Sequence, residues 1–329
     1  MNKIKQSAIT IATGLICTST MATPAMESSF IFLNEDGKDI LKMINSNDGS
    51  SLEKLATKLL EENFIQAGKN TLTPLGYAIQ KGNVNAVKSI VNKTKSLNAG
   101  ENVSAIGMAM TLAEMGKPKE QEEIIKFLVE EHNADVNEIS FIKQTPLQIG
   151  TLHAAPLKII DYLVEKGADL FKDTKSKVDE ETYVTWMSFS NAKIAGYSEN
   201  DTTEEYAEKL NNTKKVYKEL YKLENGNILK SNLIVYAAAV NRQDLIDYYV
   251  EKGVDPSPVF ERPKEGVHQS PLSETIKHDN YETFTKLLPL SKDQILDDAL
   301  VIAKFLQKQG EKYVSLIEDE KKKRKISSF

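Results

Sequence analysis

Thr73-Pro74-Leu75, Thr145-Pro146-Leu147 and Ser270-Pro271-Leu272 are three copies of one short word. A hydroxyl followed directly by proline opens a helix: Thr or Ser caps the free N–H groups, and Pro loses nothing at the first helical position. A second word closes what the first opens: Asn133-Ala134-Asp135-Val136-Asn137, Gly167-Ala168-Asp169 and Gly253-Val254-Asp255. Gly or Asn suits the left-handed residue that ends a helix. The first two openings lie 72 residues apart and the first two closings 34, so the chain repeats at about one unit per 33–36 residues.

Between an opening and a closing lie two helical stripes. The first unit has Tyr77-Ala78 and then Val87, Ile90 and Val91; the third has Ile159, Ile160, Leu163 and Val164, with an irregular Ala154-Ala155-Pro156 at its turn. The fifth has Phe284, Leu287 and Leu288. The fourth, Asn232 to Asp255, keeps Ala237-Ala238 and Leu245-Ile246 without Thr-Pro. In the second, Ser104 to Asn137, spacings of 31 and 41 residues to its neighbours imply a longer first helix or turn.

These residues resemble the ankyrin repeat. The resemblance implies an all-α solenoid of helix-turn-helix units joined by hairpin loops. The family's histidine after Thr-Pro-Leu is replaced by Gly76, Gly107, Gln148, Val235 and Ser273, which predicts weaker coupling between units. Residues 67–171 hold units one to three and 229–290 units four and five. Helical caps are expected at 34–66 and 291–320, where a repeat array needs a polar outer face.

The remainder falls into three pieces. Residues 1–22 read as a signal peptide, with Lys3 and Lys5, an uncharged run from Ser7 to Thr20, and small residues for cleavage after Ala22 or Ala25. The run is too short to span a bilayer comfortably, so no membrane association is expected after cleavage. Cys17, the only cysteine, lies inside this segment, and the mature chain would have neither disulfide nor thiolate. Residues 172–228 exceed the repeat length; they read either as a degenerate helical pair or as a protruding, partner-specific insertion. A helix is expected over 203–223, with Tyr206, Leu210, Val216, Tyr217, Leu220 and Tyr221 along one side. Finally, Lys321-Lys322-Lys323-Arg324-Lys325 in the 321–329 tail reads as a helix end that complements the macrodipole, or as a nuclear-import signal.

Composition limits the chemistry. A net charge of -5, two units more negative without residues 1–22, disfavours a nucleic-acid partner. His132, His153, His268 and His278 have no ligand spacing, and neither a nucleophile elbow nor a phosphate or dinucleotide loop is present. Acid pairs such as Glu122-Glu123 splay on a helix and do not converge as general acid–base work requires. No cofactor and no enzyme activity is expected, the alternative being an active site within 172–228.

What the resemblance implies is a protein partner held in the concave face by fingers and first helices, with the chain a monomer. Carried over, those positions are Lys69, Asn70, Leu72, Gln80 and Lys81 in the first unit. In the third they are Phe141, Ile142 and Gln144, and in the fifth Gly266, Val267, Gln269, Lys277 and His278. Together with the export segment they suggest an effector of a host-associated bacterium that acts on a host protein, or a periplasmic housekeeping scaffold.

Overall fold

The computed structural model describes residues 31–67, 70–101, 104–139, 144–153, 155–172, 174–177, 180, 184, 202–223, 228–231, 233–258, 267 and 269–327. Residues 1–22, where the export segment is expected, lie outside them. The described residues form two bodies, divided between Asp169 and Leu170.

The first body begins with strand β1 (Ile31–Phe32) and helices α1 (Gly37–Asn45), α2 (Gly49–Lys54) and α3 (Thr57–Glu61). β2 (Ile65–Ala67) and β3 (Asn70–Leu72) then form an antiparallel hairpin, with Ile65 opposite Leu72, and β1 pairs on the outside of β2. Three helix pairs follow: α4 (Pro74–Lys81) with α5 (Val84–Thr94), α6 (Ala105–Ala109) with α7 (Pro118–Lys126), and α8 (Pro146–Leu152) with α9 (Leu157–Glu165).

The second body carries β4 (Thr174–Lys177), the long α10 (Thr203–Leu223) and β5 (Ile228–Ser231). Its pairs are α11 (Leu233–Ala239) with α12 (Gln243–Glu251), α13 (Pro271–Lys277) with α14 (Tyr281–Leu287), and α15 (Asp293–Phe305) with α16 (Glu311–Ser327). α16 continues through the whole basic run, so these cations sit at a helix end, the first of the two readings, and the helix runs past the expected boundary at 320.

The opening words form as hydroxyl chemistry dictates. The N–H of Gly76 donates to Thr73 Oγ1 (3.2 Å), that of Gly107 to Ser104 Oγ (3.2 Å) and that of Ser273 to Ser270 Oγ (3.0 Å). Gln148 and Ser273 also reach back to their cap residue's N–H, so two units carry reciprocal capping boxes. Between the helices of a pair the chain turns through a left-handed residue: Gly82, Gly116, Asn241 and Asp279, with φ between 55° and 76°. The second unit departs as its spacing requires. Its turn comes twelve residues after the cap, against nine after Thr73, and α7 runs on through a π-helical turn at Phe127–Glu131.

The closing word also has a physical reason. Asp135 accepts the N–H of Asn137 (2.8 Å), and Asn137 in turn donates to Gly167 O (2.9 Å) and accepts from the Asp169 N–H (2.8 Å). One closing is thereby bonded to the next, which fixes the spacing of 34.

The missing histidine does not leave the units uncoupled. At 76 a Cβ would come 1.8 Å from Ala99 O, because the lead-in of the next unit runs against the helix start. Thr73 donates from its N–H to Ala99 O (3.2 Å) and from its hydroxyl to Asn98 O (2.6 Å). A second device recurs. A side chain at the start of a second helix donates to last-turn carbonyls of the preceding unit's first helix: Asn83 to Ile44, Lys117 to Lys81, Asn280 to Ala238 and Ala239, Gln309 to Ile276. These bonds satisfy the orphan carbonyls that every helix end leaves.

The second helices supply the apolar stripes: Val87, Ile90 and Val91 on α5, Ile159, Ile160 and Leu163 on α9, and Leu245, Ile246 and Tyr249 on α12 are all buried. Their outer faces carry ion pairs from unit to unit, including Lys88–Glu123 (2.6 Å), Lys166–Glu130 (3.3 Å) and Lys286–Asp247 (2.5 Å).

Candidate partner-binding surface

The first helices are covered on every side. All residues of α6, α11 and α13 are buried, as are 74–80 of α4 and 146–151 of α8. This corrects most of the described part of the surface expected from the resemblance. Leu72 is buried because its strand register sets it against Ile65. Gln80, Gln144, Val267, Gln269 and Lys277 are buried as well, and cannot meet a partner in this conformation. Lys81 is half-buried, with its ammonium 5.7 Å from the Tyr77 ring centre. Asn70 lies on β3 at the turn end of the hairpin, opposite Ala67. Lys69, Phe141, Ile142 and Gly266 lie outside the described residues.

Lys277 belongs to a charged cluster inside the second body. Its Nζ is 2.5 Å from Glu274 Oε1, and each side chain is only 1% exposed. His278 Nε2 stands 3.6 Å from the other carboxylate oxygen. Burial pushes the Glu274 carboxyl up, but Lys277 and His278 outweigh it and hold the group down at about 2. Removing either charge would strand the other in a dry site.

The finger between the third and fourth units is the largest departure from a plain repeat. Ser231 stands one residue before the cap position of its unit, as Leu72 does before Thr73. β4 and β5 pair antiparallel from Thr174↔Ser231 to Lys177↔Ile228. Where the first finger closes through residues 68–69, this one holds 178–227. The extra segment leaves and returns at neighbouring residues of one ladder.

Within that finger, α10 is anchored by Thr213, Tyr217 and Leu220, spaced four and three residues apart and all buried. Its last carbonyl, at Leu223, accepts the Val267 N–H (3.2 Å). Val216, expected on the apolar side, is 43% exposed. Leu210 is half-buried, and the side chain of Tyr206 and all of Trp186 lie outside what is described. Glu204, Glu205, Glu208, Asn211, Lys215, Lys218, Glu219 and Lys222 all face solvent. The signal for this finger in the sequence was the excess length; the paired strands were too short and polar to be read.

The basic run on α16 is divided by its neighbours. Arg324 Nη1 donates to Ser291 O (2.7 Å) and Asp293 (2.9 Å), Nη2 to Leu288 O (3.2 Å) and Pro289 O (3.3 Å), and Nε to Glu320 (2.8 Å). Lys321 pairs with Asp297. Lys322 pairs with Asp319 (3.3 Å), Lys323 lies 3.8 Å from Glu320, and both are exposed, as is Lys325. The guanidinium thus caps the carbonyls that end the α14 segment.

The histidines remain apart. His153 Nδ1 lies 2.5 Å from Glu114, and His132 packs edge-on against Phe127 with ring centres 4.7 Å apart. His268 is outside the described residues. Among the described residues no three metal-ligating side chains come together, and no helix is long and apolar enough to cross a membrane.

No family model matches the chain, and no curated protein does. Solved structures similar to it include the human ASB11 ankyrin repeat domain, with 17% identity over 75% of this chain and 83% of that chain, at a TM-score of 0.44. The assignment rests on the units themselves: hydroxyl–proline helix starts, left-handed turns between paired helices, and a hairpin finger ahead of the first helix. Those features build an all-α array of helix-turn-helix pairs, the fold that the ankyrin-repeat resemblance implies.

Proposed function

We propose that the chain is an exported protein-interaction module that meets its partner through the finger holding α10. The observation that carries this reading is the contrast between two surfaces. The first helices of the five repeat units are almost wholly buried, whereas the 174–231 finger presents a 21-residue helix with one side anchored and the other in water. A repeat scaffold that anchors such an element along one side suits binding, because part of the ordering cost is met before the partner arrives. Binding without catalysis fits the many acids of the described residues that lie in surface ion pairs along the helices, such as Glu122, Glu123 and Asp247. Export rests on residues 1–22, and a host protein is the proposed target.

The experiment is in-cell cross-linking of the full chain and of a variant whose residues 178–227 are replaced by Gly-Gly. Cross-links that vanish in the trimmed variant, while its helical circular dichroism persists, support the finger as the binding surface. Cross-links that survive trimming refute it. Fractionation with mass determination of the mature N-terminus decides the setting: protein beyond the producing cell supports the effector, and protein held in the envelope supports the housekeeping scaffold.

A further inference from the structure

The outer face of α10 carries an ordered series. At spacings of four and three residues, Glu204, Glu208, Asn211, Lys215, Lys218 and Lys222 form one stripe, opposite the anchoring Thr213, Tyr217 and Leu220. All six are exposed. The stripe is acidic in its first half and basic in its second, with its midpoint at residue 213.

From this we infer that α10 is a pairing surface for a second copy of this chain, docked antiparallel about a two-fold axis at 213. Under that symmetry Glu204 meets Lys222 of the other copy, Glu208 meets Lys218, and Asn211 meets Lys215. Each contact occurs twice, as an isologous interface requires. Flanking positions do not oppose the match, since Glu219 falls opposite Ala207. Parallel pairing would set Glu204 on Glu204 and Lys222 on Lys222, so the charge order selects the orientation as well as the partner. Antiparallel helices also align their macrodipoles favourably.

Two lysines already have neighbours in their own chain: Lys218 is 3.1 Å from Glu180, and Lys222 is 2.7 Å from Glu219. Those acids compete, and exposed pairs are individually weak. The association is therefore concentration-dependent and salt-sensitive, in place of the monomer that the repeat resemblance implied. It goes beyond the proposed function and borrows from it only the exposure of the finger. The test uses purified chain alone, so its failure leaves the partner reading untouched.

Sedimentation velocity of the full chain at low ionic strength is expected to show a dimer that dissociates in about 1 M salt, where the Debye length falls to about 3 Å. Two charge-reversed chains, Glu204→Lys/Glu208→Lys and Lys215→Glu/Lys218→Glu/Lys222→Glu, should each be monomeric and should associate when mixed. Mixtures that stay monomeric, or reversed chains that dimerise like the parent, overturn the pairing. A milder measurement covers the case in which reversal unfolds the helix. In a Cys17→Ser background, Asn211→Cys and Lys215→Cys chains should form a disulfide on mixing, many-fold more than either chain alone. Equal cross-linking by the single chains, or none in the mixture, refutes the register.

Discussion

Glu274 and Lys277 show what a repeat interior asks of individual side chains. The two charges are fully buried one turn apart, so each is tolerable only beside the other. Glu274→Gln is expected to lower unfolding free energy by about 3–5 kcal/mol, measured by urea denaturation. Replacing both residues together, Glu274→Leu with Lys277→Met, should restore most of that loss. The acid limb follows from the same carboxylate. Its value falls from 4.5 to about 2 on folding, so its contribution is complete above pH 4.5 and disappears as pH drops toward 2. Urea midpoints that stay flat across that window would contradict the assignment. Gly76→Ala tests the close approach at Ala99 O: a loss of about 1–3 kcal/mol is expected, since the facing backbone cannot yield easily. None of this was legible beforehand. A Lys or Gln near the end of a first helix reads as solvent-facing, and whether it is buried depends on the neighbouring units, which periodicity does not encode.

At the scale of elements, two sets of contacts join the units and they differ in weight. Surface pairs such as Lys286–Asp247 are part-exposed, and Lys286→Ala should change stability by less than about 1 kcal/mol. Asn280 donates to Ala238 and Ala239 at a part-buried helix end, so Asn280→Ala should cost about 1–3 kcal/mol, because those carbonyls lose their donors. Thermal melts of the two single variants separate the cases. Sequence reading succeeded where an element has its own local signature. The hydroxyl–proline starts, the Gly or Asn turns and the stripes of α5, α9 and α12 were all visible, because caps and 3.6-residue periodicity are local. It failed at β1, β4 and β5. Thr174-Lys175-Ser176-Lys177 has no apolar alternation, and only its partner across the chain makes it a strand. The basic run of α16 was legible as a helix end, but the role of Arg324 was not, because it acts on carbonyls 33 to 36 residues away.

Across the whole molecule, repeats contact mainly their neighbours, so damage at one place should stay local. The chain trimmed at 178–227 is expected to keep cooperative unfolding of the helix pairs after residue 233, with a midpoint within a few degrees of the parent. Loss of that transition would mean that α10 is part of the core and no appendage. The feature with the longest reach is the pairing of Lys177 with Ile228, where the inserted chain departs and comes home at adjacent residues. Because the closure penalty of a flexible loop grows only with the logarithm of its length, about 0.6 kcal/mol per doubling, a segment spliced at such a gate is nearly free to change size. The finger can thus act as a cassette. Its contents can be exchanged, lengthened or lost over evolutionary time while the stack beneath keeps its register, so that relatives sharing this scaffold could diverge in what they recognise at this point before diverging anywhere else.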